Sequence, residues 1–223
     1  MNNYKRRRAI LVVEGPAGSG KSTIIDLLDS VGFYPLHKTS KNVRDYQELG
    51  DAALMSQIKD IKNFARAIQL TPDEIPVMDR FILSQQVYGA IRRADNRLAS
   101  PHQLITHIHE MSDLLLSDYL MRQGVHIGKA HVSPVEVYFL VLLPSVARLN
   151  YQRGTSGKEY PFSAKREIEL YKKISVFEEN TRKYMPPITF DVEPLEIVYK
   201  RVIRRIKNIF KHQGIEFPRT GVI

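Results

Sequence analysis

Short apolar runs alternate with longer stretches in which apolar residues recur every three or four positions, and this alternation extends along the whole 223-residue chain. Residues 8–13 form the first run and predict a strand. Residues 21–31 carry Ile24, Ile25, Leu27 and Leu28 at helical spacing, with Gly32 placed to end the helix. Residues 33–36 predict a second strand, and 51–70 a helix with Leu54, Ile58, Ile61, Ala65 and Ile68 on one face. After the break Thr71-Pro72-Asp73-Glu74, residues 75–78 predict a third strand that ends at Asp79-Arg80. Helices follow at 83–93 and 101–121, the second striped by Leu104, Ile105, Ile108, Met111 and Leu115, and 125–134 is loop. Residues 135–143 are the most strand-like in the chain and are stopped by Pro144. A helix begins at 145–153, residues 154–161 form a polar flap, and 163–184 is helical. Pro186-Pro187 precede a last strand, 188–192, and a basic helix, 194–211. Strands that alternate with helices of this length predict a parallel sheet with helices on both faces.

Composition narrows the class. With 43% apolar and 26% charged residues the chain reads as globular and not disordered. The absence of cysteine excludes disulfides and thiolate metal sites. The longest apolar run, 137–143, is far short of the roughly 20 residues that a membrane span needs. Lys5-Arg6-Arg7-Arg8 before 9–13 looks like the start of a signal peptide, but the run is too short and Glu14 follows it. A cytoplasmic protein with no membrane partner is therefore expected. The net charge of +9 admits an anionic partner, whether nucleotide or nucleic acid.

Three constellations carry chemistry. Gly15-Pro16-Ala17-Gly18-Ser19-Gly20-Lys21-Ser22 matches G-x-x-x-x-G-K-[ST] without deviation, between an apolar run and an amphipathic helix. Such a loop aims backbone N–H groups and a helix N-terminus at phosphate. Residues 15–23 are thus expected to bind ATP, with Lys21 on the β and γ phosphates and Ser22 on Mg²⁺. Asp79 and Arg80 end a predicted strand, where ligands of open parallel sheets bind. Asp79 can hold the metal through water or accept a proton, and Arg80 can clamp an acceptor phosphate. Arg148 and Arg153 lie beside the flap and suit neutralisation of a moving phosphoryl group, with residues 148–163 acting as a lid. Together these make Lys21, Asp79, Arg80, Arg148 and Arg153 the candidate catalytic residues of a phosphotransferase.

Glu14-Gly15, the phosphate loop, Asp79-Arg80-Phe81 with Ser84 and Val87-Tyr88, and the arginine-bearing flap together resemble the thymidylate kinase branch of the nucleoside and nucleotide kinases. The ending, Thr189-Phe190-Asp191-Val192 followed by 194–206, also looks like that family's. The resemblance implies one P-loop domain over residues 1–223, with a five-stranded, mainly parallel sheet in the order 2-3-1-4-5. It implies a deoxynucleoside monophosphate kinase that uses ATP and Mg²⁺, with Lys38, Arg80, Phe81, Ser84 and Tyr88 as candidate acceptor-binding residues. Three departures fall on substrate recognition. Ala17 replaces a usual acidic loop residue, Gly89 replaces a glutamine, and Lys38-Thr39-Ser40 replaces an Arg-Glu-Pro turn.

Those departures keep other acceptors open: a nucleoside, or a hydroxymethylated base such as hydroxymethyluracil in DNA, as for some phage kinases that resemble this family. A non-enzymatic, ATP-dependent nucleic-acid-binding switch is the alternative of another class. The basic N-terminal segment and the last helix, with Lys200, Arg201, Arg204, Arg205, Lys207 and Lys211, are where DNA would make contact. A homodimer is also admitted. The histidines at 102, 107, 109, 126 and 131 lack an acidic partner at metal-ligand spacing and are set aside.

Overall fold

A computed structural model of the chain describes residues 8–36, 52–71, 74–95, 97–124, 135–176 and 187–218. Five strands, β1 (Arg8–Glu14), β2 (Tyr34–Leu36), β3 (Pro76–Asp79), β4 (Val135–Pro144) and β5 (Ile188–Phe190), form one sheet in the order β2-β3-β1-β4-β5. Every pairing is parallel. Seven helices connect or flank them among the described residues: α1 (Lys21–Asp29), α2 (Ala52–Leu70), α3 (Ile82–Arg92), α4 (Pro101–Arg122), α5 (Val146–Thr155), α6 (Ala164–Val176) and α7 (Leu195–Gln213). The parallel sheet is the one the alternation of elements predicts, and the strand order is the one the resemblance implies.

The central strands are apolar without a break over residues 9–13 and 137–143 because both of their faces are covered. Ile10 and Val12 of β1 join Phe139 and Val141 of β4 in a core beneath α2, α3, α4 and α6. Leu11 and Val13 alternate to the other face and pack with Leu140 and Leu142 against α1 and α7. A small third cluster, Leu149 with Ala164 and Ile168, holds α5 to α6.

Three local readings are corrected. The buried face of α2 runs through Asp60, Phe64, Ala67 and Ile68, while Ile61 is 46% exposed. Asp60 belongs inside because its carboxylate accepts from the Gln85 amide at 2.7 Å. The last strand ends at Phe190, not Val192. There the Phe190 carbonyl accepts from Ser145 N, Asp191 Oδ1 takes the Ser145 hydroxyl at 2.5 Å, and Val192 is exposed despite its apolar side chain. Finally, β3 begins at Pro76 and not at Ile75, and it runs to Asp79, paired with Val13. The part of the expected 163–184 helix beyond Val176 lies outside the described residues.

Candidate active site

The chain leaves β1 at Glu14 and enters α1 at Lys21 through a loop with glycines at positive φ at three points, Gly15, Gly18 and Gly20, the first two of them also hemmed in. Gly15 has φ 140°, and a Cβ there would lie 2.4 Å from the Leu142 carbonyl oxygen of β4. Gly18 has φ 83°, and a Cβ would lie 3.2 Å from Arg153 Cγ and 3.4 Å from the Tyr160 hydroxyl. The loop is thus wedged between the sheet and the flap. Lys21 is buried, and its Nζ donates to Gly15 O at 3.0 Å and Pro16 O at 2.7 Å. A phosphate in the loop would compete for that ammonium.

Beside the loop, β3 hands over to α3 through a strained residue. The backbone N–H of Arg80 donates to Val13 O at 2.9 Å, extending the β1–β3 ladder past Asp79. Arg80 then adopts φ 69°, the left-handed region that a non-glycine residue avoids at a cost of roughly 1–2 kcal/mol. That turn delivers the next N–H, of Phe81, to Glu14 Oε1 at 2.7 Å. It also sets the Arg80 guanidinium over the Tyr88 ring, 5.0 Å from its centroid.

A cleft of about 440 Å³ opens over these elements. Ala17, Gly18, Gly20, Lys21, Ser22 and Thr23 form its floor, with Asp79 and Arg80 at the end of β3. The end of α5 contributes Gln152, and the flap contributes Ser156, Lys158 and Tyr160. Oδ1 of Asp79 is buried without a hydrogen-bond partner, as are Nε of Arg148 and Oε1 of Gln152. A buried carboxylate oxygen left unsatisfied is costly unless something that is not protein meets it. With Ser22 in the same wall, the donor set is oxygen only and fits Mg²⁺, which keeps several waters and takes one or two protein ligands.

Electrostatics concentrate behind the cleft. Burial pushes the Glu14 carboxyl above its ordinary value, against hydrogen bonds from Ser84 and Phe81 and the charge of Arg80. Burial, followed by the charge of Glu14, raises the Tyr171 hydroxyl well above its usual range. The Tyr88 hydroxyl is likewise raised, by burial first, with Arg80 opposing and Glu167 reinforcing. Burial acts to lower Arg80, but Tyr88, Tyr171, Asp79 and Glu14 outweigh it and hold the guanidinium firmly charged.

The structure brings Lys21, Ser22, Thr23, Asp79 and Arg80 together around one cleft. It places others differently. Phe81 is 3% exposed and stacks on Phe64 at 4.7 Å, in the core and away from the cleft. Ser84 is spent on Glu14 and on the Tyr171 hydroxyl at 2.8 Å. Arg148 and Arg153 do not line the cleft, and Lys158 is the flap cation that does. Arg153 is 8% exposed and donates to Ala17 O, Phe162 O and Glu167. Gly89, the glutamine position of the resemblance, leaves room for Arg93, whose Nη1 lies 3.1 Å from where a Cβ would be. Lys38 lies outside the described residues, as do Lys5, Arg6 and Arg7.

Sequence reading missed Glu14, Glu167, Tyr171 and Lys158 as members of the site. Glu167 left a signal, since it sits among Ala164, Ile168 and Tyr171 on the apolar stripe of α6, where an unpaired charge would be too costly.

Among the described residues no helix is long and apolar enough to cross a membrane. By sequence, no family model and no curated protein matches the chain. Solved structures do. Thymidylate kinase from Candida albicans is 16% identical over 93% of this chain and 94% of its own, with a TM-score of 0.57. Deoxyadenosine kinase from M. mycoides, with bound dATP, is 15% identical over 89% of this chain and 99% of its own, with a TM-score of 0.52. The YorR protein from Bacillus subtilis, in complex with phosphorylated GDP, is 15% identical over 92% of this chain and 98% of its own, also at 0.52. The chain has the P-loop kinase fold, with its five parallel strands in the order 2-3-1-4-5.

Proposed function

We propose that the protein is an ATP-dependent phosphotransferase whose acceptor is a deoxynucleoside monophosphate, with a thymidylate kinase-like site. One observation carries this reading. The unpartnered, buried Oδ1 of Asp79 shares a cleft with Lys21 and Ser22 of the phosphate loop and with Arg80. The loop N–H groups and Lys21 would hold the donor phosphates. Mg²⁺ would be held by Ser22 and, through water, by Asp79, and when bound it offsets the charge of the phosphate oxygens. Arg80, fixed by its backbone and by Tyr88, would clamp the acceptor phosphate. Gln152, Ser156, Lys158 and Tyr160 would cover the transfer and exclude water, with Lys158 as the neutralising charge. A cytoplasmic location, with its ATP and nucleotide pools, goes with this reading.

The test is an acceptor panel with γ-labelled ATP. It contains the four common deoxynucleoside monophosphates, the corresponding nucleosides, and DNA with and without hydroxymethylated bases. Label on at least one monophosphate supports the proposal. Label on nucleosides alone makes it a deoxynucleoside kinase, and no transfer at all leaves only the binding-switch reading.

A second acceptor is favoured by one specific feature. Lys200, Arg204, Lys207 and Lys211 of α7 are exposed and follow i, i+4, i+7, i+11, so they form a single stripe. The stripe lies opposite the buried Val198, Val202, Ile206 and Phe210 and spans roughly 16 Å at about 1.5 Å per residue. A row of cations of this length suits a phosphate backbone. In that reading the acceptor is a hydroxymethylated base within DNA, and Asp79 takes the proton of its hydroxyl. DNA affinity should then fall with salt at a logarithmic slope of about −0.9 per phosphate contacted. Absence of salt-sensitive binding at low ionic strength removes this reading. The described residues offer no support for a homodimer.

A further inference from the structure

Donors from three elements converge on one buried carboxylate. Glu167, in the first turn of α6, is 1% exposed. Its Oε2 accepts the Ala17 N–H of the phosphate loop at 2.9 Å and the Tyr88 hydroxyl of α3 at 2.7 Å. Its Oε1 accepts from Arg153 Nη2 of α5 at 2.6 Å. Arg153 in turn donates from Nε and Nη2 to Ala17 O, at 3.0 and 2.9 Å, and from Nη1 to Phe162 O at 2.8 Å. All three guanidinium nitrogens are engaged, and its plane lies over the Tyr160 ring at 4.8 Å. Swinging Arg153 into the cleft would break these bonds and strand the charge of Glu167 in the interior.

We infer that Glu167 is a positioning residue for the phosphate loop, acting with Arg153 as a clamp. Between them they grip Ala17 by its N–H and by its carbonyl, so the rim of the loop is fixed in height and in rotation. Ala17 and Gly18 line the cleft, and a Cβ on Gly18 would lie 3.2 Å from Arg153 Cγ, so the clamp leaves no room for a side chain there. The same carboxylate fixes the Tyr88 hydroxyl, and the Tyr88 ring carries Arg80. One side chain thereby links the donor-binding loop to the acceptor-side arginine. The inference uses the kinase reading for its turnover measurements, but its primary readout is nucleotide binding, which needs no acceptor.

The experiment compares the full-length wild type with Glu167→Gln and the double variant Arg153→Met/Glu167→Met. Glu167→Gln keeps an acceptor oxygen for Ala17 and Tyr88 but removes the charge that holds Arg153. The double variant replaces the buried pair with apolar residues of similar volume, a change that folds commonly tolerate. Each is measured for thermal unfolding, for affinity toward a fluorescent ATP analogue, and for kcat and KM with the best acceptor of the panel. Both variants should weaken ATP-analogue binding by at least about tenfold and raise the KM for ATP in parallel, with kcat within about threefold. A merely structural role predicts something else: lower unfolding temperature and fewer active molecules, with Kd and KM unchanged, and that result overturns the inference. Should Glu167→Gln fail to fold, a folded double variant with wild-type ATP affinity also overturns it. If the wild type binds the analogue and the variants do not, yet no acceptor is phosphorylated, the kinase reading fails and the clamp stands.

Discussion

Glu14, the last residue of β1, accepts both the hydroxyl and the backbone N–H of Ser84 in α3, so a buried carboxylate ties the start of the phosphate loop to the helix after Arg80. The Tyr171 hydroxyl of α6 reaches the same carboxylate at 3.4 Å.

That carboxylate makes stability depend on pH. Burial raises the folded-state value of Glu14 above the ordinary 4.5. In the window above 4.5 the folded state therefore binds more protons than the unfolded one, and the contribution of Glu14 to stability falls as pH rises through it. Glu14→Gln removes this titration. In urea unfolding from about pH 7 down to about pH 5, the wild type should gain stability relative to Glu14→Gln. A difference that stays constant with pH contradicts the assignment.

Arg80 separates strain from function. At φ 69° glycine is at ease and alanine is not. Arg80→Gly should therefore be more stable than Arg80→Ala by about 1 kcal/mol in chemical denaturation. Both variants should lose about 10²–10³ in kcat/KM, since neither carries a guanidinium. Equal stability of the two would mean that the left-handed turn is not kept.

Ser145 secures the root of the flap. Its hydroxyl oxygen accepts the Arg148 N–H as the cap of α5 while donating to Asp191 beyond β5. Ser145→Ala should cost about 0.5–2 kcal/mol, read from the shift in urea midpoint. An unchanged midpoint would show that the cap contributes nothing.

Much of this was legible in the residues. The phosphate loop is local chemistry, spelled out by spacing and by flanking periodicity, and the strand order followed from the resemblance. Asp79 and Arg80 could be placed because a strand end is visible in sequence. What could not be read was which polar side chains turn inward. Arg153 and Glu167 are 14 residues apart and meet only because α5 packs on α6. Ser84 and Phe81 fit an acceptor-site pattern, yet Glu14 and Phe64, distant in the chain, claim them for the interior. Ile61 falls on the expected apolar face by its spacing, and the Asp60–Gln85 hydrogen bond sets the phase of α2 otherwise. In each case the deciding partner lies far along the chain.

The central claim is that the loop, Asp79 and Arg80 form one phosphoryl-transfer centre, and its most direct test is labelled-phosphate transfer from ATP by the wild type and by Asp79→Asn under identical conditions with Mg²⁺. The account predicts acceptor-dependent transfer to a deoxynucleoside monophosphate by the wild type, and a loss of about 10² or more in kcat for Asp79→Asn with its fold intact by circular dichroism. Transfer by Asp79→Asn at the wild-type rate, or no transfer by the wild type to any acceptor of the panel, would contradict it.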